Sequence, residues 1–147
     1  MADPVRTVLL VRHAKAESRR AWDRPDHLRP LSKKGRAQAE ALAEAWSDQP
    51  IRAVRSSPAV RCVQTVTPLC ERLGIECAID EALMEGGAIA LPSAAGTYVI
   101  CAHGDNIPAL LAALGIDGSA CRKGSTWRLD FDQRGTLTAA SYTDCPL

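Results

Sequence analysis

Along the chain, continuous apolar runs alternate with amphipathic stretches. Residues 5–12 are apolar, β-branched at several positions and without alternation, the pattern of a strand buried on both faces of a parallel sheet, and His13 then stands at its C-terminal end. Ser32 is placed to cap a helix over residues 33–47, with Gln38, Leu42, Ala45 and Trp46 at helical spacing before Pro50. Residues 51–56 read as a second strand. A helix follows, with Pro58 in its first turn and Gly74 at its end, which Pro68 is expected to kink or divide. Residues 75–79 and 97–102 are the third and fourth strand candidates, and His103 closes the fourth. Residues 106–114 form another helical segment, closed by Gly115. Residues 127–131 and 136–142 flank Asp132-Gln133-Arg134-Gly135, a hairpin signal, while residues 81–96 lack a period and read as a loop.

This order implies an α/β domain of three layers, α/β/α, with a mostly parallel central sheet and an antiparallel C-terminal hairpin, spanning residues 1–147 as a single unit. Ligands in such folds bind outside the carboxyl ends of the strands. The two histidines that end strands are therefore expected to meet there.

Composition narrows the class. At 46% hydrophobic and 24% charged residues the chain matches a folded globular protein, so disorder and fibrous structure are excluded. The net charge of +1 hides an asymmetry, because residues 1–72 carry 14 of the 18 Lys and Arg but 8 of the 17 Asp and Glu. A basic run from Arg12 to Arg36 favours anionic partners. With three Trp, two Tyr and one Phe, no basic-aromatic interleaving marks a nucleic-acid platform, so nucleic acid is not the expected partner. Six cysteines show no zinc-ligand or redox spacing and read as reduced, structural thiols. No apolar run reaches a membrane span, and the N-terminal apolar stretch is too short for a signal peptide, which leaves the cytoplasm as the expected location.

Three strand ends carry chemistry: Arg12-His13, Ser56-Ser57-Pro58 with Arg61 one turn further on, and His103-Gly104. The ordered blocks LLVRHAKAE at 9–17, RPLSKKGRAQA at 29–39, SSPAVRCVQT at 56–65, ALMEG at 82–86 and VICAHGDNI at 99–107 resemble the histidine phosphatase superfamily, the phosphoglycerate mutase-like group. The nearest likeness is to the short SixA-type phosphohistidine phosphatases and to the hydrolase domains fused to some Nudix proteins. Ala14 stands where most of the superfamily has the glycine of an RHG triplet, a departure shared by the short branch.

The resemblance implies that His13 is the nucleophile and that Arg12, Arg61 and His103 bind the phosphoryl group, with no cofactor and no metal. Imidazole attacks phosphorus only through an unprotonated nitrogen, so the other ring N–H needs a fixed partner, expected to be a backbone carbonyl. Guanidinium forks match the charge spread over the phosphoryl oxygens, and His103 adds a further donor. Glu85, after Leu83-Met84, resembles the segment that supplies the acid and base; the alternative is a solvated surface carboxylate. Ser32 and His27 are read as structural and as surface residues.

The expected activity is hydrolysis of phosphohistidine or phosphomonoester substrates, on a phosphorylated protein side chain or a small phosphate ester, through a phosphohistidine. A mutase of the same superfamily is the alternative, but the 17 residues between Glu85 and His103 leave little room for a lid against water. A silent phosphate- or phosphoprotein-binding module is a third reading, and His13, His27 and His103 as metal ligands a fourth, without ligand spacing to support it.

Overall fold

The computed structural model describes residues 4–147; residues 1–3, the start of the N-terminal stretch considered for a leader, lie outside the described residues. Six strands form one mixed sheet: β1 (Arg6–Arg12), β2 (Ile51–Ser56), β3 (Cys77–Ile79), β4 (Gly96–Ala102), β5 (Thr126–Phe131) and β6 (Leu137–Thr143), in the order β3-β2-β4-β1-β5-β6. β3, β2, β4 and β1 are parallel; β5 runs antiparallel to β1, and β6 antiparallel to β5.

The two-residue alternation of strand side chains divides the core between two faces. Leu9 and Val11 of β1, with Val54 and Val99, pack beneath α1 (Lys33–Trp46) and α2 (Val60–Leu73). Val8 and Leu10, with Ile100 and Leu129, pack beneath α3 (Asn106–Ala113) and the loop that carries Leu83 and Ile89. Because β1 is buried on both sides, truncating Leu9 or Leu10 to Ala costs about 2–5 kcal/mol.

Several element boundaries differ from expectation for identifiable reasons. Gln38, Ala39, Leu42 and Ala43 form the buried stripe of α1, whereas Ala45 is exposed, because the helix turns Leu42 and Ala43 toward the sheet and Ala39 toward Ala14 and Leu31. α2 starts at Val60, so Pro58 precedes the helix instead of lying in its first turn. The helix runs undivided through Pro68, held on both sides of the proline by buried Val66, Leu69 and Cys70. β3 is limited to Cys77–Ile79, a short edge strand pairing with Val54–Ser56. The segment expected as a loop contains one 3-10 turn, Glu81–Leu83. No helix among the described residues is long and apolar enough to cross a membrane.

Register places the chemistry. Arg12 pairs with Ala102 across β1 and β4, and Ser56 pairs with Cys101 across β2 and β4. The next residues of the three strands, His13, His103 and Ser57, therefore emerge side by side.

Candidate functional site

His13 follows β1, its backbone N–H donating to Ala102 O at 3.1 Å. The segment beyond it is tied to both helices of one face: Ala14 N donates to Thr65 Oγ1 of α2 at 2.9 Å, and Lys15 N to Gln38 Oε1 of α1 at 2.9 Å. Ser32 Oγ accepts from Gly35 N and donates to Lys15 O, so the cap of α1 also fixes this loop. A Cβ on Gly35 would come within 1.9 Å of Lys15 O, which explains glycine there.

These ties hold the His13 ring. Its Nδ1 lies 2.8 Å from Ala14 O. A carbonyl only accepts, so Nδ1 carries the proton and Nε2 keeps its lone pair. Burial pushes the imidazole down to about 3; the bond to Ala14 resists this, and the charges of Arg61, His103 and Arg12 add to it. His13 is consequently a neutral base held among cations.

Arg61 projects from the first turn of α2 and is 1% exposed. Its Nη1 donates to Asp26 O at 3.0 Å, and its Nη2 contacts Asp26 Oδ2 at 3.2 Å and also pairs with Glu85 Oε1. Arg12 donates through Nη1 to Cys121 O at 2.7 Å. The Arg12 guanidinium lies against Gly104, where a Cβ would stand 2.6 Å from its Cζ. The Nε atoms of both arginines are buried without a hydrogen-bond partner among the described residues.

His103 is 2% exposed, and its ring centroid lies 5.4 Å from that of His13. Its Nε2 stands 2.9 Å from Ser57 Oγ, while Nδ1 is buried, unpartnered in hydrogen bonding and 3.5 Å from Glu85 Oε1. Asn106 locks the local backbone: its Oδ1 accepts from His103 N, and its Nδ2 donates to Leu83 O and Met84 O. Asp105 Oδ2 accepts from Gly86 N at 2.8 Å. Despite partial burial, which acts the other way, the N–H groups of Gly86 and Asn106 hold the Asp105 carboxyl below the ordinary carboxylate range. The start of α3 thus anchors the loop that delivers Glu85, whose side chain is 43% exposed.

The structure brings His13, Arg12, Arg61, His103 and Glu85 into one cluster at the carboxyl ends of β1, β2 and β4. His27 is exposed in the 3-10 turn Asp26–Leu28, and no group of three potential metal ligands forms among the described residues. Asp26 is a cluster member that sequence reasoning missed. Against its own partial desolvation, the hydrogen bond from Arg29 and the charges of Arg61, Arg29 and Arg19 hold its carboxyl below the usual range. It sits in an irregular segment with no period to flag it, whereas Ser57 and Thr65 stand inside the SSPAVRCVQT block and were open to discovery there.

Residues 8–90 match the model of the histidine phosphatase superfamily, branch 1. An 8-oxo-(d)GTP phosphatase of Mycolicibacterium smegmatis is 35% identical over 158 aligned residues, covering 96% of this chain and 49% of that protein, so the chain spans about half the length of this relative. Among solved structures, the protein histidine phosphatase SixA complexed with tungstate superposes with a TM-score of 0.80 at 20% identity, over 94% of this chain and 96% of that one. The putative phosphohistidine phosphatase SixA from Agrobacterium tumefaciens gives 0.75 at 25% identity, over 92% and 97%. A mycobacterial glucosyl-3-phosphoglycerate phosphatase gives 0.67 at 19% identity, over 95% and 97%.

Proposed function

Because the chain belongs to the histidine phosphatase superfamily, we propose that it is a metal-independent phosphatase that hydrolyses phosphohistidine or phosphomonoester substrates through a phosphohistidine formed on His13. We further assign residues 1–147 to one catalytic domain. The observation that carries this reading is the His13 ring, whose proton is fixed on Nδ1 by Ala14 O while burial and surrounding cations keep the imidazole neutral. Such a ring offers Nε2 as a nucleophile across the physiological pH range.

In this mechanism Arg12 and Arg61 hold the phosphoryl oxygens, and His103 donates to an oxygen whose charge grows as Nε2 approaches phosphorus. The phosphoryl competes with Glu85 for Arg61, which frees the Glu85 carboxyl to protonate the leaving oxygen. The same carboxylate then takes a proton from the water that cleaves the N–P bond. The named relatives, an 8-oxo-(d)GTP phosphatase, a protein histidine phosphatase and a glucosyl-3-phosphoglycerate phosphatase, act on chemically different phosphate compounds.

Release of phosphate from para-nitrophenyl phosphate in excess chelator tests this directly. Wild type turns over, and His13→Ala loses at least about a thousandfold in kcat/KM. Absence of turnover by folded wild type would favour a binding module, and loss on chelation a metal enzyme.

A further inference from the structure

Four arginines, Arg12, Arg19, Arg29 and Arg61, stand at the site, and the segments beside His13 add Lys15 and Lys123, while Asp26 and Glu85 are the carboxylates paired with these arginines among the described residues. Arg19 approaches both carboxylates, lying 3.6 Å from Asp26 Oδ1 and 3.7 Å from Glu85 Oε1, and Arg29 pairs with Asp26 at 3.0 Å. In the proposed mechanism Arg12 and Arg61 are matched by the transferring phosphoryl. Lys15 and Lys123 are left over. Among the described residues neither has a carboxylate within 4.0 Å, and both are exposed.

The backbone sets these two lysines beside the nucleophile and beside each other. Lys15 lies two residues beyond His13, and its N–H donates to Gln38 Oε1. Lys123 occupies a tight turn, closed by Ser125 N donating to Arg122 O at 3.0 Å, in which Gly124 takes φ +78°. Gly124 N donates to both Arg12 O and His13 O at 3.1 Å. A Cβ on Gly124 would lie 3.7 Å from Gln38 Cδ, so the two lysine-bearing segments meet across one side chain. Desolvation, reinforced by the charges of Arg12, Arg29, Lys15 and Arg19, holds the Lys123 ammonium below the ordinary lysine range. No carboxylate stands within 4.0 Å of either lysine among the described residues to offset these charges.

Resting on the phosphatase reading, the geometry points to a leaving-group subsite formed by Lys15 and Lys123 that takes a second phosphoryl group, so the preferred substrate carries a terminal phosphoanhydride. Lysine ammoniums bind phosphate as point charges, and two of them balance the charge that a single transferring phosphoryl leaves over. A protein phosphohistidine, whose leaving group is a neutral imidazole, offers nothing to this pair. On a nucleoside diphosphate, Nε2 of His13 bonds to the terminal phosphorus as its bond to the bridging oxygen breaks, and the nucleoside monophosphate departs with that electron pair. Water then cleaves the N–P bond, giving inorganic phosphate and, over both steps, one proton to solvent.

The test compares kcat/KM for ADP with that for para-nitrophenyl phosphate, in chelator so that no metal masks the charge, in wild type, Lys15→Met, Lys123→Met and the double variant. The subsite predicts a wild-type preference for ADP over AMP and a fall of about tenfold or more in the ADP to aryl phosphate ratio in the double variant. An unchanged ratio, or a wild-type preference for AMP, overturns the subsite while leaving the phosphatase intact. No turnover of any substrate by folded wild type overturns both.

Discussion

At the scale of single residues, His13 couples chemistry to stability. Its imidazole titrates near 6.5 in an unfolded chain and near 3 when folded, so the unfolded state binds the extra proton between those values. Stability contributed by keeping this ring neutral is full above about pH 6.5 and drains as pH falls toward 3, at up to about 1.4 kcal/mol per pH unit. Chemical denaturation between pH 7 and 4 should show wild type losing more stability than His13→Asn; parallel losses would mean that the ring is not buried neutral. Gly104 makes a second residue-scale case. A methyl group there meets the Arg12 guanidinium, so Gly104→Ala should displace Arg12 and lower kcat/KM by about ten- to a hundredfold with the fold retained. Circular dichroism beside aryl phosphate kinetics checks both halves of that statement.

At the scale of elements, the site depends on short segments pinned to regular structure. Asn106, in the first turn of α3, holds the 3-10 turn at Glu81–Leu83 and the His103 backbone together through three hydrogen bonds. Asn106→Ala leaves buried groups unpaired, which costs about 1–3 kcal/mol for each group affected and loosens the delivery of Glu85. Thermal melting should register the first effect and a lowered kcat the second; a variant with wild-type melting and turnover would remove Asn106 from this role. Gly35 pins the other side, since its Cα faces Lys15 O at the start of α1. Gly35→Ala is expected to destabilise by about 1–3 kcal/mol and to shift the loop that follows His13.

These pins also show what the sequence could and could not disclose. β1 and β4 were legible because strands buried on both faces leave continuous apolar runs, and α1 because Ser32 and Pro50 bracket it; β2, with its two arginines, showed only as a short stretch between Pro50 and Pro58. The strand-end residues stood out by position and by likeness to known blocks. Asp26 did not, because its partner Arg61 is 35 residues away; Asn106 lies inside the VICAHGDNI block, but its role shows only through Leu83, 23 residues away. Such contacts carry no local period. The start of α2 was misplaced for a different reason: Pro58 suits a first helical turn, but the chain bends at Pro58 and Ala59, and Ala59, the cap residue, has a non-helical ψ of 134°.

For the molecule as a whole, the strand order explains why residues as distant as Arg12, Arg61 and His103 converge. The chain passes from β1 to β2 and later inserts β4 between them, so a single edge of the sheet collects the ends of all three strands. Helices on both faces bury the sheet, and Arg12, Arg19, Arg29 and Arg61 gather around that edge. Catalysis in this account requires that a phosphoryl group become covalently bound to His13. The most direct measurement is to quench the enzyme during turnover with a labelled phosphate donor and to map the acid-labile, base-stable label. Wild type should carry it on His13, His13→Ala should carry none, and Glu85→Gln should accumulate it because water is no longer activated. Turnover by wild type with no label on His13, or turnover that survives in His13→Ala, would contradict the account.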